Sequence, residues 1–232
     1  MLILAIESSA KPVSVAVYNA ADGKLLGQYF QNNGFSHSRT LLALAETLLG
    51  NLGITPADLG LVAVANGPGS FTGVRIGVSA AKGLAWGLDI PVCGVSTLEA
   101  MAYQTQESGA VICPVMDARR EQVYNAVFEW RENQLIRLCE DRAISLEDLA
   151  EDLRSYDLPC LIVGDGVDVC MEFNGFSDCR VAPELLRYQT AYGVALAAVN
   201  AKSTSAVDLE PVYLRPSQAE RERSHSSSKS SS

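Results

Sequence analysis

A chain of 232 residues, 48% of them hydrophobic, has ample material for a packed core, which excludes global disorder. Its net charge of −9 and pI of about 4.7 exclude a broad phosphate-binding surface, because nucleic-acid affinity rests on clustered Lys and Arg. No apolar run reaches the ~18 residues of a membrane span. The opening Met1-Leu2-Ile3-Leu4 meets Glu7 without the flanks of a signal peptide, so the expectation is a cytoplasmic protein.

In chain order, Leu2–Ile6 is an apolar run leading into Glu7-Ser8-Ser9, Val13–Tyr18 alternates, and Lys24–Gln31 alternates again after the hairpin signal Asp22-Gly23. These are three consecutive antiparallel strands. A helix over His37–Leu49 follows, with Ser36 or Ser38 as candidate cap and Gly50 past its end. Leu59–Ala65 is a buried strand that runs into the loop Asn66-Gly67-Pro68-Gly69-Ser70. Phe71–Leu88 is a helix capped by Ser70 or Thr72, Ile90–Gly94 a strand, and Ser96 caps a helix to Gln106.

The order then restarts. Ala110–Met116, Gln122–Trp130 and Gln134–Cys139 are strands, Ser145 caps a helix to Ser155, and Cys160–Val163 is a strand ending at Gly164-Asp165-Gly166. Helical stretches follow near Val167–Asn174 and over Glu184–Lys202. A β-β-β-α-β-α order thus appears twice, which places the chain in the α/β class with lobes at 1–105 and 106–216 and a disordered serine-rich tail at 217–232.

Charge divides along the same line. Residues 1–105 carry 5 basic and 6 acidic side chains, and residues 106–216 carry 10 and 19. A lobe with so few charges hides part of its surface or is poorly soluble alone. The two helices of that lobe point the same way. Leu41, Leu44 and Leu48 mark one apolar face of His37–Leu49, and Leu42, Ala45 and Leu49 mark another. In Phe71–Leu88, Gly73 and Gly77 lie one turn apart among Ala80 and Ala81, a flat stripe that suits close approach of another helix.

Chemistry-bearing residues are few. The six cysteines show no CxxC spacing, and two histidines, His37 and His225, cannot build an HExxH-type centre, so no metal site is expected. In nucleotide-binding proteins of this architecture the first hairpin turn holds phosphates. Here that turn, Glu7-Ser8-Ser9-Ala10-Lys11-Pro12, has no glycine to bring backbone N–H groups close. Glu7, Ser8, Ser9, Gly67, Gly69, Ser70 and Thr72 therefore mark at most a vestigial nucleotide site. The loop running into the helix with Arg75 one turn in is a generic anion site, or simply a tight capped turn.

The run Gly67-Pro68-Gly69-Ser70-Phe71-Thr72-Gly73-Val74-Arg75-Ile76-Gly77 resembles the signature of the TsaB (YeaZ-like) family of bacterial tRNA threonylcarbamoyladenosine biosynthesis. His37–Leu42, Met116–Tyr124 and Pro211–Arg215 support the resemblance, which covers about residues 1–216. It implies a two-lobed actin/hexokinase-like (ribonuclease H-like) fold and a non-catalytic scaffold. The scaffold would pair through its first lobe with a catalytic TsaD-type subunit, be joined by a TsaE-type ATPase, and form a homodimer when alone. ATP and metal would sit on those partners, and tRNA would be met only through the complex.

The contact would fall on the helices carrying His37, Leu41, Leu44, Leu48, Gly73, Arg75, Gly77, Ala80 and Ala81. The family usually begins its first turn with Asp, where this chain has Glu7. Two other readings remain open. One is an ATP-dependent phosphotransferase of the sugar or acetate kinase type, using Glu7, Asp117 and the Gly164-Asp165-Gly166 turn. The other is a glycopeptidase-like hydrolase with Ser70 as nucleophile and His37 as base.

Overall fold

The computed structural model describes residues 1–34 and 37–215; the candidate cap Ser36 and the tail 217–232 lie outside the described residues. Two five-stranded sheets follow one plan. Strands β1 (Leu2–Glu7), β2 (Val13–Asn19), β3 (Lys24–Gln31), β4 (Leu59–Gly67) and β5 (Val92–Ser96) lie in the order β3-β2-β1-β4-β5. Strands β6 (Val111–Asp117), β7 (Gln122–Arg131), β8 (Gln134–Ser145), β9 (Cys160–Val163) and β10 (Arg180–Val181) lie in the order β10-β9-β6-β7-β8. In both, three antiparallel strands are extended by two parallel ones. The chain is thus a duplicated, two-lobed α/β protein of the actin/hexokinase-like kind.

The helices are α1 (His37–Leu52), α2 (Phe71–Leu88), α3 (Thr97–Thr105), α4 (Leu146–Leu153), α5 (Val167–Glu172), α6 (Glu184–Arg187) and α7 (Ala191–Asn200). The central strands are apolar at successive positions because both sheet faces are covered. Leu4, Ile6, Val62 and Val64 face α1 and α2, whereas Ile3, Ala5, Leu61 and Ala63 face α7. In the second sheet, Val111, Cys113 and Ile162 face α4 and α5, whereas Ile112, Phe128 and Leu161 face α3.

The halves therefore exchange helices. The last helix of the first half lies on the second sheet, and the last helix of the second half lies on the first. α3 and α7 pack on each other between the sheets, so closely that a Cβ on Gly193 would stand 2.3 Å from the Ala100 carbonyl oxygen. Polar pins fix this layer. Gln104 donates to the carbonyls of Leu186 and Tyr188 (2.7 and 2.8 Å) and accepts from Thr190 (2.7 Å). Arg137 on β8 joins Asp141 (2.6 Å) and Glu99 of α3 (2.9 Å), and the Ser96 hydroxyl donates to Asp141.

The expected division at 105/106 is accordingly crossed in both directions. The segment after α7 also returns to the first lobe. Thr204 pairs with Val92, Lys82 donates to the carbonyls of Val207 and Leu209 (3.0 and 2.9 Å), and the Val212 N–H donates to Asn66 (2.7 Å). Part of the low-charge surface of residues 1–105 is covered by the chain's own C-terminal segment, with Leu209 buried in the first core.

Several boundaries differ from the sequence expectation, β10 is not among the expected strands, and four of the differences have a visible cause. α1 runs through Gly50 to Leu52; the left-handed residue that ends it is Gly53 (φ 66°), with the Ile54 N–H closing on Leu49. β5 starts at Val92, because the Ile90 N–H is spent closing α2 on Ala85. β8 extends to Ser145 because β7 pairs along its whole length. The expected helix over Glu184–Lys202 splits into α6 and α7, because Gln104 captures the Leu186 and Tyr188 carbonyls and Thr190 caps α7.

Gly193→Ala is expected to cost about 1–3 kcal/mol by pushing α3 from α7. Urea denaturation should show the loss as a lower midpoint with an unchanged slope.

Candidate functional site

The lobes enclose an open cleft of about 710 Å³, entered between the turn after β1, the N-terminus of α2, the β6–β7 turn and residues 212–215. Ser9 lines it, and behind Ser9 the turn Glu7-Ser8-Ser9 forms a buried floor, all three residues being fully buried. Glu7 Oε1 accepts the Ser9 N–H at 2.6 Å. Burial is the main force raising the Glu7 carboxyl to about 7, opposed by its contacts with Ser9 and assisted by the charge of Asp165. Asp165, itself pushed upward by burial, is held by Gln189 at 2.7 Å.

The N-terminal turn of α2 is seated directly on that floor. The Ser70 N–H donates to the Ser9 carbonyl (2.6 Å), and the Ser8 hydroxyl donates to the Gly73 carbonyl (2.9 Å). A Cβ on Gly69 would stand 2.4 Å from the Ser9 oxygen, one on Gly73 2.1 Å from the Ser8 oxygen, and one on Gly77 2.4 Å from Ser8 Oγ. The glycines of the signature are therefore packing residues. Gly67 (φ 128°) serves a second strand of chain in the same way, its Cβ position lying 2.2 Å from the Val212 oxygen. Ser70 caps α2 by accepting from the Gly73 N–H, and Thr72 is exposed on the cleft rim.

This geometry corrects the expected interface. Gly73, Gly77 and Ala81 are buried inside the lobe, so the stripe they form receives no second helix. Leu41 and Leu48 are buried with Ala45 and Leu49, which unites residues of the two expected apolar faces into one, and Leu44 is half-buried. Arg75 points outward, stacked 3.7 Å over Phe71 and donating to the Tyr213 hydroxyl (2.8 Å); Ala80 is half-buried.

The outward stripe of α2 is instead Thr72, Arg75, Ser79, Gly83, Trp86 and Gly87. Trp86 is 78% exposed, and nothing lies within 4 Å of a Cβ on Gly83 or Gly87. On α1, Leu42 is 52% exposed. Trp86, Gly83 and Gly87 were legible as a 3–4 spaced stripe, but Gly73 and Gly77 obeyed the same spacing one face away. The outward face of this helix thus carries Gly83, Trp86 and Gly87 where Gly73 and Gly77 were expected.

The hydrolase pair does not assemble. The His37 Nε2–H donates to the Ala10 carbonyl (2.7 Å), and the Ser70 hydroxyl serves as the α2 cap. Asp117 and Asp165 line the cleft with Lys11, Arg119 and Arg215. In the β6–β7 turn, Arg119, Arg120 and Glu121 all take left-handed φ (64°, 55° and 56°), and Asp117 accepts the Arg119 N–H at 2.7 Å. Among the described residues no group of three or more His, Cys, Asp or Glu is placed to hold a metal ion, and no helix is long and apolar enough to cross a membrane.

A duplicated two-lobed α/β protein with these two sheet orders, whose first turn is filled by its own helix, belongs to the actin-like fold class. The sequence matches, over residues 33–214, the family described as TsaD: tRNA N6-adenosine threonylcarbamoyltransferase. It is 37% identical over 164 residues to the tRNA threonylcarbamoyladenosine biosynthesis protein TsaB of Bacillus subtilis, covering 71% of each chain. It is 35% identical over 154 residues to TsaB of Escherichia coli, covering 66% of this chain and 65% of that one. The solved structure of YeaZ from Pseudomonas aeruginosa shares the fold, with a TM-score of 0.79 at 24% identity, over 92% of this chain and 99% of that one. The chain belongs to the TsaB family and is a protein of tRNA threonylcarbamoyladenosine biosynthesis.

Two measurements follow from the site. Glu7 has a folded pKa above its unfolded value of 4.5, so its contribution to stability is full below that value and is lost as pH rises to about 7. Glu7→Gln should abolish this dependence and stabilise the protein at pH 8 by on the order of 3 kcal/mol in denaturation curves. Gly73→Ala should destabilise by about 1–3 kcal/mol, whereas Gly83→Ala should stabilise by about 0.5–1 kcal/mol.

Proposed function

We propose that this chain is a non-catalytic subunit of the cytoplasmic machinery that makes threonylcarbamoyladenosine. It pairs with a TsaD-type catalytic subunit through the outward faces of α1 and α2, and forms a homodimer through the same faces when alone. A TsaE-type ATPase joins the pair. ATP and metal are held by the partners, and tRNA is met through them.

The observation that carries this reading is the outward stripe of α2. An exposed tryptophan beside two glycines with open space around them gives an aromatic anchor on a flat surface, the arrangement found at interface centres. A role without chemistry is supported by the way the polar groups are used. The first turn spends the Ser8 hydroxyl and the Ser9 carbonyl on α2, and Ser70 spends its hydroxyl on a cap. The second lobe carries most of the negative charge, which favours a partner as the surface that grips tRNA.

Gly83→Arg places a long charged side chain on the open stripe without touching the lobe's interior. Co-purification with the TsaD-type subunit should fall at least tenfold, with the melting temperature within about 3 °C of wild type. Trp86→Ala should weaken pairing by about thirtyfold, the weight of an interface anchor. Normal pairing by both variants would refute the assignment. Calorimetry with ATP and Mg²⁺ separates the phosphotransferase reading, which requires micromolar binding and turnover by the isolated chain.

A further inference from the structure

Five of the six cysteines converge on one core. Cys113, Cys160 and Cys170 are buried in the layer between the second sheet and α4 and α5, with Cys139 and Cys179 at its edge. Two of them stand in a special relation. β9 and β10 are parallel, with Arg180 opposite Leu161 and Val181 opposite Ile162. One residue back along both strands, Cys179 stands beside Cys160. Both side chains pack into the same core cluster on one face of the sheet.

Neighbouring strands lie about 4.8 Å apart, inside the Cα separation of about 4.4–6.8 Å that a disulfide spans. Cys113 shares that cluster with Cys160, but on β6 it is offset by two residues, since Val111 is the residue opposite Cys160. That diagonal is about 8 Å at the Cα atoms, from a strand spacing of about 4.8 Å and a rise of about 3.3 Å per residue, beyond what a disulfide spans. Cys179 is half-buried, so it is the pair's point of entry from solvent, and Cys160 lies behind it.

We propose that Cys160 and Cys179 are a thiol modification site that closes to a disulfide by exchange with a small-molecule disulfide of the glutathione type. The Cys179 thiolate attacks one sulfur of the glutathione disulfide, forming a mixed disulfide and releasing one glutathione thiolate, which takes up the proton lost by Cys179. The Cys160 thiolate then attacks the Cys179 sulfur and expels the second glutathione, which takes up the proton lost by Cys160. One protein dithiol is oxidised to one disulfide, and one glutathione disulfide is reduced to two glutathione molecules.

The bond would tie β10, a two-residue edge strand, to β9 and so fix the segment that leads through α6 into α7. Exchange is slow at neutral pH. The Cys179 thiol is pushed well up by the adjoining Cys160 thiol and by burial, and the Cys160 thiol by the neighbouring Cys113 thiol. Mildly alkaline solution speeds the reaction by raising the thiolate fraction.

The test treats the full chain with oxidised glutathione at pH 9, blocks remaining thiols, and maps peptides without reduction. A Cys160–Cys179 linked peptide is expected, with a melting temperature raised by about 5 °C and restored by dithiothreitol. In Cys160→Ser the glutathione adduct on Cys179 should persist. Cys179→Ser, at the half-buried position, should fold normally and give no linked peptide. A persistent glutathione adduct on Cys179 in the wild type, free thiols at both positions, or a link formed by Cys113 instead would each overturn the proposal.

Discussion

The seating of α2 on the turn Glu7-Ser8-Ser9 is the constraint on which the first lobe depends. At Gly69, Gly73 and Gly77 atoms of Ser8 and Ser9 stand where a methyl group would otherwise be. Ser8 and Ser9 complete the contact by giving a hydroxyl and a carbonyl to the helix. Glycine is an unfavourable choice in a helix by about 1 kcal/mol per residue, and here close packing is the return. The same contact buries Glu7, raising its carboxyl to about 7, and commits the Ser8 hydroxyl, the Ser9 backbone and Glu7 Oε1 to the protein, while Glu7 Oε2 and Ser9 Oγ stay buried without a partner. A turn that would otherwise be available to a ligand has become part of the core.

The second constraint is the exchange of helices between the halves. Because α3 lies on the second sheet and α7 on the first, neither sheet is complete within its own half of the sequence. Gly193 and Gln104 hold the crossing, one by permitting backbone contact and the other by gathering carbonyls and a hydroxyl from the connecting segment. The cleft is thereby framed from both sides, while the outward faces of α1 and α2 remain free of this exchange. The sparse charge of residues 1–105 goes with cover by the chain's own residues 191–215 and with an outer stripe on α2 whose one charged residue is Arg75.

Much of this was legible in the sequence. Alternation and the Asp22-Gly23 turn located the strands, Ser70, Ser96 and Ser145 capped the helices as expected, and the repeated order of elements revealed the duplication. What misled was local ambiguity that only tertiary structure resolves. A glycine stripe reads alike whether it faces a partner or the protein's own turn, so Gly73 and Gly77 were assigned outward when Gly83 and Gly87 hold that place. The split between α6 and α7 was hidden because its cause, Gln104, lies more than 80 residues away. The contacts that cross the 105/106 division were hidden for the same reason, since sequence order does not reveal an exchange of helices between sheets that themselves divide there.

The central claim is a division of labour on α2: an inward glycine face that builds the lobe and an outward face that meets a partner. Hydroxyl-radical footprinting of Trp86, with and without the TsaD-type subunit, tests it most directly. The account predicts that modification of Trp86 falls several-fold in the complex, while Tyr124 on the cleft wall stays as reactive as in the free chain. An unchanged Trp86 with a protected cleft would contradict it, because the partner would then sit between the lobes and not on the helix.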